Sequence, residues 1–270
     1  MTDLPISPHA RRLTVQEKDQ FQQSGYVKNL AVFDQTAIPK LQERFQELVD
    51  LLPEGTHMSR VNNWHKANRY VCDLCRTPAI LDYVEDLLGA DFYQWGSHCF
   101  AKFPHDGTEV PWHQDAEYWP LRPMKTVSVW LAIFDTDEEN GAMKVVRGSH
   151  LWGSQAHHEV DGSQYVLAQE VDMSGIKPED IVTLDLKAGQ ISLHDNRLIH
   201  GSGPNNSDRM RAGQTMRFCP TEVDCDLDVW PTFESYLVRG EDKYKHNPAG
   251  KIPAGNGFPT KIGQASIDFP

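Results

Sequence analysis

Residues 112–123 read Trp-His-Gln-Asp-Ala-Glu-Tyr-Trp-Pro-Leu-Arg-Pro, and residues 200–211 read His-Gly-Ser-Gly-Pro-Asn-Asn-Ser-Asp-Arg-Met-Arg. The first stretch holds His113 and Asp115; the second holds His200 and Arg211. Two neutral imidazoles and one carboxylate on a single face of an ion leave the opposite positions open, as in non-haem Fe(II) sites that admit a cosubstrate and dioxygen. On a strand, residues 113 and 115 point to the same side, so both could reach one ion. His200 would then join them from a distant strand. Arg211 offers the forked donors that clamp a dicarboxylate such as 2-oxoglutarate.

Around these stretches the chain reads as short strands, at 92–103, 126–134, 142–146, 181–186, 190–194, 198–202 and 213–219. Turn residues separate them, and Asn140-Gly141 is a strong hairpin signal. Many short strands joined by Gly and Pro turns predict a sandwich or a barrel. The first ninety residues differ in character. Thr14 and Glu17 form a capping box ahead of a short helix. Residues 26–33 alternate as a strand. Ile38, Leu41, Phe45, Leu48, Val49 and Leu52 follow helical spacing, and 77–88 gives another helix stopped by Gly89. The tail from Asp242 is rich in Gly, Pro and Lys and predicts irregular structure.

Composition limits the functional classes. A formal charge of −12 opposes a general nucleic-acid or anionic-membrane surface. The longest strongly apolar stretch, 127–134, is far too short to span a bilayer, and no signal segment opens the chain. The expectation is a cytoplasmic protein acting on a small molecule. The odd count of five cysteines suits reduced thiols, and Cys72-Asp-Leu-Cys75 has no second pair to complete a zinc site.

Two histidines compete for the metal. His157-x-Glu159 repeats the ligand spacing but follows Gly148-Ser149-His150 in a polar run that reads as a loop, and His194 could replace His200. Resemblance favours the first assignment. His113-Gln114-Asp115-x-x-Tyr118-x-Pro120-x-Arg122-Pro123, Asn140-Gly141, Gly148-Ser149-His150, and His200-Gly201-Ser202 through Arg211 are similar, in order and spacing, to the phytanoyl-CoA dioxygenase family. The similarity runs from about residue 98 to 219.

That resemblance implies a mainly β fold with flanking helices, a double-stranded β-helix (jelly-roll, cupin-like) barrel. It implies a single oxygenase domain over 1–270: a helical cover plus one strand in 1–90, the jelly-roll core with the metal site in 91–220, and a C-terminal extension in 221–270. It implies Fe(II), 2-oxoglutarate as cosubstrate, and O2. His113, Asp115 and His200 become the catalytic iron ligands, and Arg211 and Ser202 hold the distal carboxylate of 2-oxoglutarate. Trp130 walls the cosubstrate, and His98 falls at another cosubstrate-lining position. Arg209 and Arg217 share the strand parity of Arg211 but read as solvated. Related halogenases carry a small residue where Asp115 stands, so hydroxylation is expected.

The substrate rests on slighter signals. His57, Arg60, His65, Lys66 and Arg69, with Asn62 and Asn63, form a basic island without an acid in 57–70. It reads either as a solvated loop or as the edge of a pocket for an anionic or zwitterionic molecule, foremost an aminophosphonate such as 2-aminoethylphosphonate. Arg60, Asn62, Lys102, Gln114 and Tyr118 are the candidate substrate contacts, although Gln114 faces away from the metal toward a neighbouring loop. Alternatives are an acyl-CoA, an amino acid or compatible solute, and a hydrophobic natural product. From other classes come a non-catalytic metal-binding jelly roll, which would need no Arg211, and a zinc hydrolase, which would need a glutamate base.

Overall fold

The computed structural model describes residues 2–159 and 169–259. Its first part alternates helices with one strand: α1 (Val15–Ser24), β1 (Tyr26–Ala31), α2 (Ile38–Asp50), α3 (Arg69–Leu74) and α4 (Pro78–Leu88). Strands then dominate. They are β2 (Phe92–Lys102), β3 (Val110–His113), β4 (Leu121–Arg122), β5 (Val127–Ala132), β6 (Lys144–Val146), β7 (His157–Glu159) and β8 (Gln169–Val171). They continue as β9 (Ile181–Thr183), β10 (Gln190–Asp195), β11 (His200–Ser202), β12 (Arg211–Pro220), β13 (Asp224–Cys225) and β14 (Tyr236–Arg239).

The helix ends follow the local chemistry. Thr14 caps α1 by accepting from the Glu17 amide, and Glu17 accepts in return from the Thr14 amide at 2.8 Å. Pro at the first turn opens α4, and Gly89 at φ 88° closes it.

Two antiparallel sheets form the body: six strands ordered β1-β10-β5-β12-β2-β14, and four ordered β3-β11-β6-β9. Side-chain alternation explains the larger sheet. Val129, Leu131, Ile191, Leu193, Ala212, Met216, Phe218, Cys99 and Ala101 share one core cluster with Leu41, Phe45 and Leu48 of α2 and Ile80 and Val84 of α4. The helices therefore cover one face. The alternate residues, among them Trp130 and Ala132, turn to the other face and pack with Met143, Val145, Leu184, Leu186 and Leu198. Both faces are buried, so every residue of β5 is buried and only Ser128 interrupts its apolar run.

Strands β2 and β12 pair over ten positions, from Arg211↔Lys102 to Pro220↔Phe92, with a bulge between Arg217 and Phe218. There Arg217 faces Gly96 and Phe218 faces Gln94, leaving Trp95 as the extra residue.

Two expectations need correcting. Asn140-Gly141 does not close a hairpin, because β5 and β6 belong to different sheets. The Asn140 amide instead folds the turn from within, bonding the Asp137 amide and the Asp135 carbonyl at 2.8 Å each. Residues 157–159 are not a loop; β7 pairs antiparallel with β8. Among the described residues no helix is long and apolar enough to cross a membrane. All five cysteines are buried and free.

Candidate metal centre and its cleft

His113 closes β3, and β11 sets His200 directly opposite it in register. The two rings lie 4.1 Å apart. Asp115 is not on the strand, as the spacing had suggested, but opens a 3-10 turn over Asp115–Tyr118. Gln114 between them is still extended (φ −111°, ψ 121°), so Asp115 returns to the side of His113. Ligand atoms of His113, Asp115 and His200 all lie within 4.8 Å of one another, and all three residues are buried. Among the described residues they form the one such cluster.

Hydrogen bonds decide how the imidazoles face. His113 Nδ1 lies 2.8 Å from the Pro111 carbonyl, and His200 Nδ1 lies 2.9 Å from that of Leu198. A carbonyl only accepts, so each Nδ1 carries the hydrogen and each Nε2 keeps its lone pair. Two lone pairs and one carboxylate thus converge, which fits a divalent cation. Burial, with His113 alongside, holds His200 well below the ordinary histidine pKa, so it stays neutral. Burial alone would raise the Asp115 carboxyl; the nearby Arg217 guanidinium is the leading opposing influence, and Asp115 is held well below the usual carboxylate range and stays ionised. The strand carrying His200 is pinned by the Gly-Ser-His turn, where Ser149 Oγ accepts from the Ile199 amide at 2.8 Å.

A cleft opens beside this cluster. Phe100, Trp130, Met143, Ser202, Arg211 and Thr215 line it, together with His113, Asp115, His194, His200 and Arg217. Arg211 is 2 % exposed, yet among the described residues no carboxylate pairs with it and its Nε has no partner. Its guanidinium carbon sits 4.9 Å from the Trp130 ring. That arrangement depends on Gly213, where a Cβ would fall 2.0 Å from Trp130 Cζ2.

Lys102 faces Arg211 across the β2–β12 ladder. Its Nζ donates to Ser202 Oγ at 2.9 Å, to the Ser202 carbonyl, and to the Gly203 carbonyl in a shorter contact. Burial, then Arg211, pulls the Lys102 pKa down to about 7. The structure therefore places Lys102 beside Ser202 and Arg211, and its side chain does not line the cleft.

His98 lies on the same sheet face, but its Nε2 bonds the Ser59 carbonyl at 2.7 Å and it does not line the cleft. Gln114 is not available to a substrate: its Nε2 donates to the Gly153 and Arg197 carbonyls, and its Oε1 accepts from the Gln155 amide. Tyr118 sits in an aromatic cluster with Trp95, Trp119 and Trp230, its ring 6.2 Å from His113 but outside the cleft lining.

The basic island does not gather at the cleft. His57 meets Asp106 at 3.3 Å, Lys66 meets Glu234 at 3.1 Å, and Arg69 meets Asp73 at 3.0 Å. His65 is buried against Ser97 Oγ at 2.8 Å. Arg60 is exposed, Asn62 is bridged to His98, and neither lines the cleft.

Arg217 also departs from expectation. Arg209 is surface-paired with Asp137 and Glu139, as a solvated residue should be. Arg217 instead has a side chain only 11 % exposed, 4.0 Å from Asp115, against Trp119 and Trp95. Its parity with Arg211 was the available signal.

Comparison with known proteins agrees with this geometry. The profile of the phytanoyl-CoA dioxygenase (PhyH) family matches residues 21–213. A probable alpha-ketoglutarate-dependent hypophosphite dioxygenase of Stutzerimonas stutzeri is 27 % identical over 193 residues, covering 68 % of this chain and 65 % of its own length. The peroxisomal phytanoyl-CoA dioxygenase of Bos taurus is 32 % identical over 199 residues, covering 70 % and 57 %. The chain thus matches less than two thirds of the length of these curated relatives. Among solved structures, the apo form of the non-heme monooxygenase ThoJ superposes with a TM-score of 0.73 at 26 % identity, covering 88 % of this chain and 89 % of the other.

Proposed function

Because the chain belongs to the phytanoyl-CoA dioxygenase family, we propose that it is an Fe(II)- and 2-oxoglutarate-dependent dioxygenase hydroxylating an unactivated C–H bond of a small anionic or zwitterionic molecule. The observation that carries this reading is one cleft lined both by the His113–Asp115–His200 cluster and by the unpaired cation Arg211. When bound, iron and 2-oxoglutarate supply the activation of O2: substrate C–H becomes C–OH while the keto-acid is converted to succinate and CO2.

The chain's own residues do the positioning. His113, Asp115 and His200 hold the metal. Arg211 takes the distal carboxylate through charge-assisted bonds. Lys102 already donates to Ser202 Oγ, so that hydroxyl is free to aim its own hydrogen at the same carboxylate. Trp130 walls the cosubstrate and keeps water from the guanidinium. On this reading residues 1–270 are one oxygenase domain, and the two sheets are the halves of a double-stranded β-helix.

An aminophosphonate such as 2-aminoethylphosphonate is the leading substrate candidate. Its support comes from the cleft cations and from a relative named for a phosphorus oxyacid, since none of the cations of 57–70 lines the cleft. The test has two stages. Protein loaded with Fe(II) without oxygen should develop a weak visible charge-transfer band on adding 2-oxoglutarate. Succinate release should then rise in step with one member of a panel holding aminophosphonates, amino acids, compatible solutes and acyl-CoAs. Folded, iron-loaded protein that gives no band would remove the oxygenase reading. Coupling to an acyl-CoA alone would replace the substrate class.

A further inference from the structure

The cleft carries a second guanidinium, Arg217, besides the Arg211 assigned to the distal carboxylate of the cosubstrate. Arg217 lies six residues beyond Arg211 on β12, roughly 20 Å along an extended strand, so the two serve different ends of the cleft. Its nearest acid, Asp115, is 4.0 Å from Nε, beyond hydrogen-bond reach, and belongs to the metal cluster. Trp119 and Trp95, at 4.9 and 5.7 Å from the guanidinium carbon, hold the cation by their faces and satisfy none of its N–H groups.

The neighbouring strands extend the pattern. Register sets Arg217 beside Ser128, and Ser128 beside His194. Thr215 precedes Arg217 on the same face of β12. Arg217 Nε, Ser128 Oγ, His194 Nδ1 and Thr215 Oγ1 are all buried with no hydrogen-bond partner among the described residues. Buried polar groups are nearly always satisfied, so four orphans in one patch mark a place for an absent acceptor. A cation with two hydroxyl donors, and no acid left uncommitted, has the chemistry of an oxyanion receptor.

We propose that Arg217, with Thr215, Ser128 and His194, forms a second oxyanion site that receives the phosphonate or carboxylate of the substrate. The assignment rests on the cleft being that of an oxygenase, and it narrows the substrate to a molecule carrying its own oxyanion. The competing source of the same chemistry is the 1-carboxylate of 2-oxoglutarate.

Calorimetry under argon separates the two, with methylphosphonate as probe and Fe(II)-loaded protein. Wild type saturated with 2-oxoglutarate should still bind one methylphosphonate and show altered tryptophan fluorescence from Trp95 and Trp119. Arg217→Gln should weaken methylphosphonate at least tenfold and leave 2-oxoglutarate affinity within twofold; Arg217→Lys should recover part of the loss, and Arg211→Gln should show the reverse pattern. Absence of methylphosphonate binding to wild type, or binding only without 2-oxoglutarate, overturns the site. So does an Arg217→Gln protein that loses 2-oxoglutarate instead. Should that variant not fold, the wild-type competition and Thr215→Val, expected to lose methylphosphonate several-fold, still decide. Failure of 2-oxoglutarate to bind wild type would instead overturn the oxygenase reading, which separates the two claims.

Discussion

Arg211 is a buried cation without a counter-charge among the described residues, and a lone charge in that position costs about 3–5 kcal/mol relative to a paired one. The bound carboxylate supplies the missing partner. Replacing Arg211 with Ala should therefore raise the 2-oxoglutarate Kd roughly 100-fold or more while leaving metal stoichiometry unchanged, as calorimetry and metal analysis would show. His194 offers a contrasting case. Its ring is 5.1 Å from His200, but it stands outside the ligand cluster and burial holds its pKa down to about 4. His200→Ala should lose the metal, whereas His194→Ala should retain it; equal loss from both would make His194 a ligand. Lys102 introduces a pH dependence. With a pKa of about 7, it is charged below that value and neutral above it. Affinity for the anionic cosubstrate should be full at lower pH and decline as pH rises through about 7, with bound carboxylate shifting the fall upward. Lys102→Met should flatten that profile.

At the scale of elements, strand parity reveals much and pairing partners reveal little. The alternation of β12 places residues 211, 213, 215 and 217 on one face, and this was readable from Arg211 onward. What parity could not show was that the far end of that face is buried. Burial there comes from the bulge at Trp95, which brings an indole against Arg217, and from Trp119, which arrives from a separate segment. Gly96 leaves the room: a Cβ there would lie 3.2 Å from Arg217 Cδ. The basic island failed for a similar reason. His57 and Lys66 look unpaired along the chain because their acids, Asp106 and Glu234, stand far away, whereas the partner of Arg69 is Asp73, just past the island. Asn140-Gly141 was misread as a hairpin because turn chemistry reports local backbone, not the sheet that the next strand enters. Gly141 instead admits the 203–204 backbone, since a Cβ there would sit 2.7 Å from the Gly203 carbonyl oxygen. Gly213 supports a sharper prediction. Gly213→Ala should force Trp130 off its seat, lowering stability by about 1–3 kcal/mol in urea unfolding and weakening 2-oxoglutarate as well. Unchanged affinity in that variant would detach Trp130 from the cosubstrate.

At the scale of the whole molecule, the helices are part of the core. Leu41, Phe45, Ile80 and Val84 cover the apolar residues of β5, β10 and β12. A chain begun at residue 91 would expose Val129, Leu131, Ile191, Leu193, Met216 and Phe218 together, a patch large enough to drive association. Such a truncation should aggregate or lose its near-ultraviolet circular dichroism. A soluble, monomeric fragment with a native-like spectrum would instead make 1–90 a separable unit. The helical half was legible from periodicity and caps, because those signals are local. The metal cluster was legible only once its three residues were matched to a known spacing, since residues 113 and 200 meet through a ladder that sequence distance hides.

The main-chain tethers of the two imidazoles carry a genetic consequence. His113 and His200 are each steered by a carbonyl two positions upstream, and every amino acid has a carbonyl. Codons 111 and 198 can therefore drift without turning either ring, provided the backbone keeps its path. The ring orientation of both ligands is thus written in backbone rather than in a neighbouring side chain, and the donor atoms themselves come from three codons.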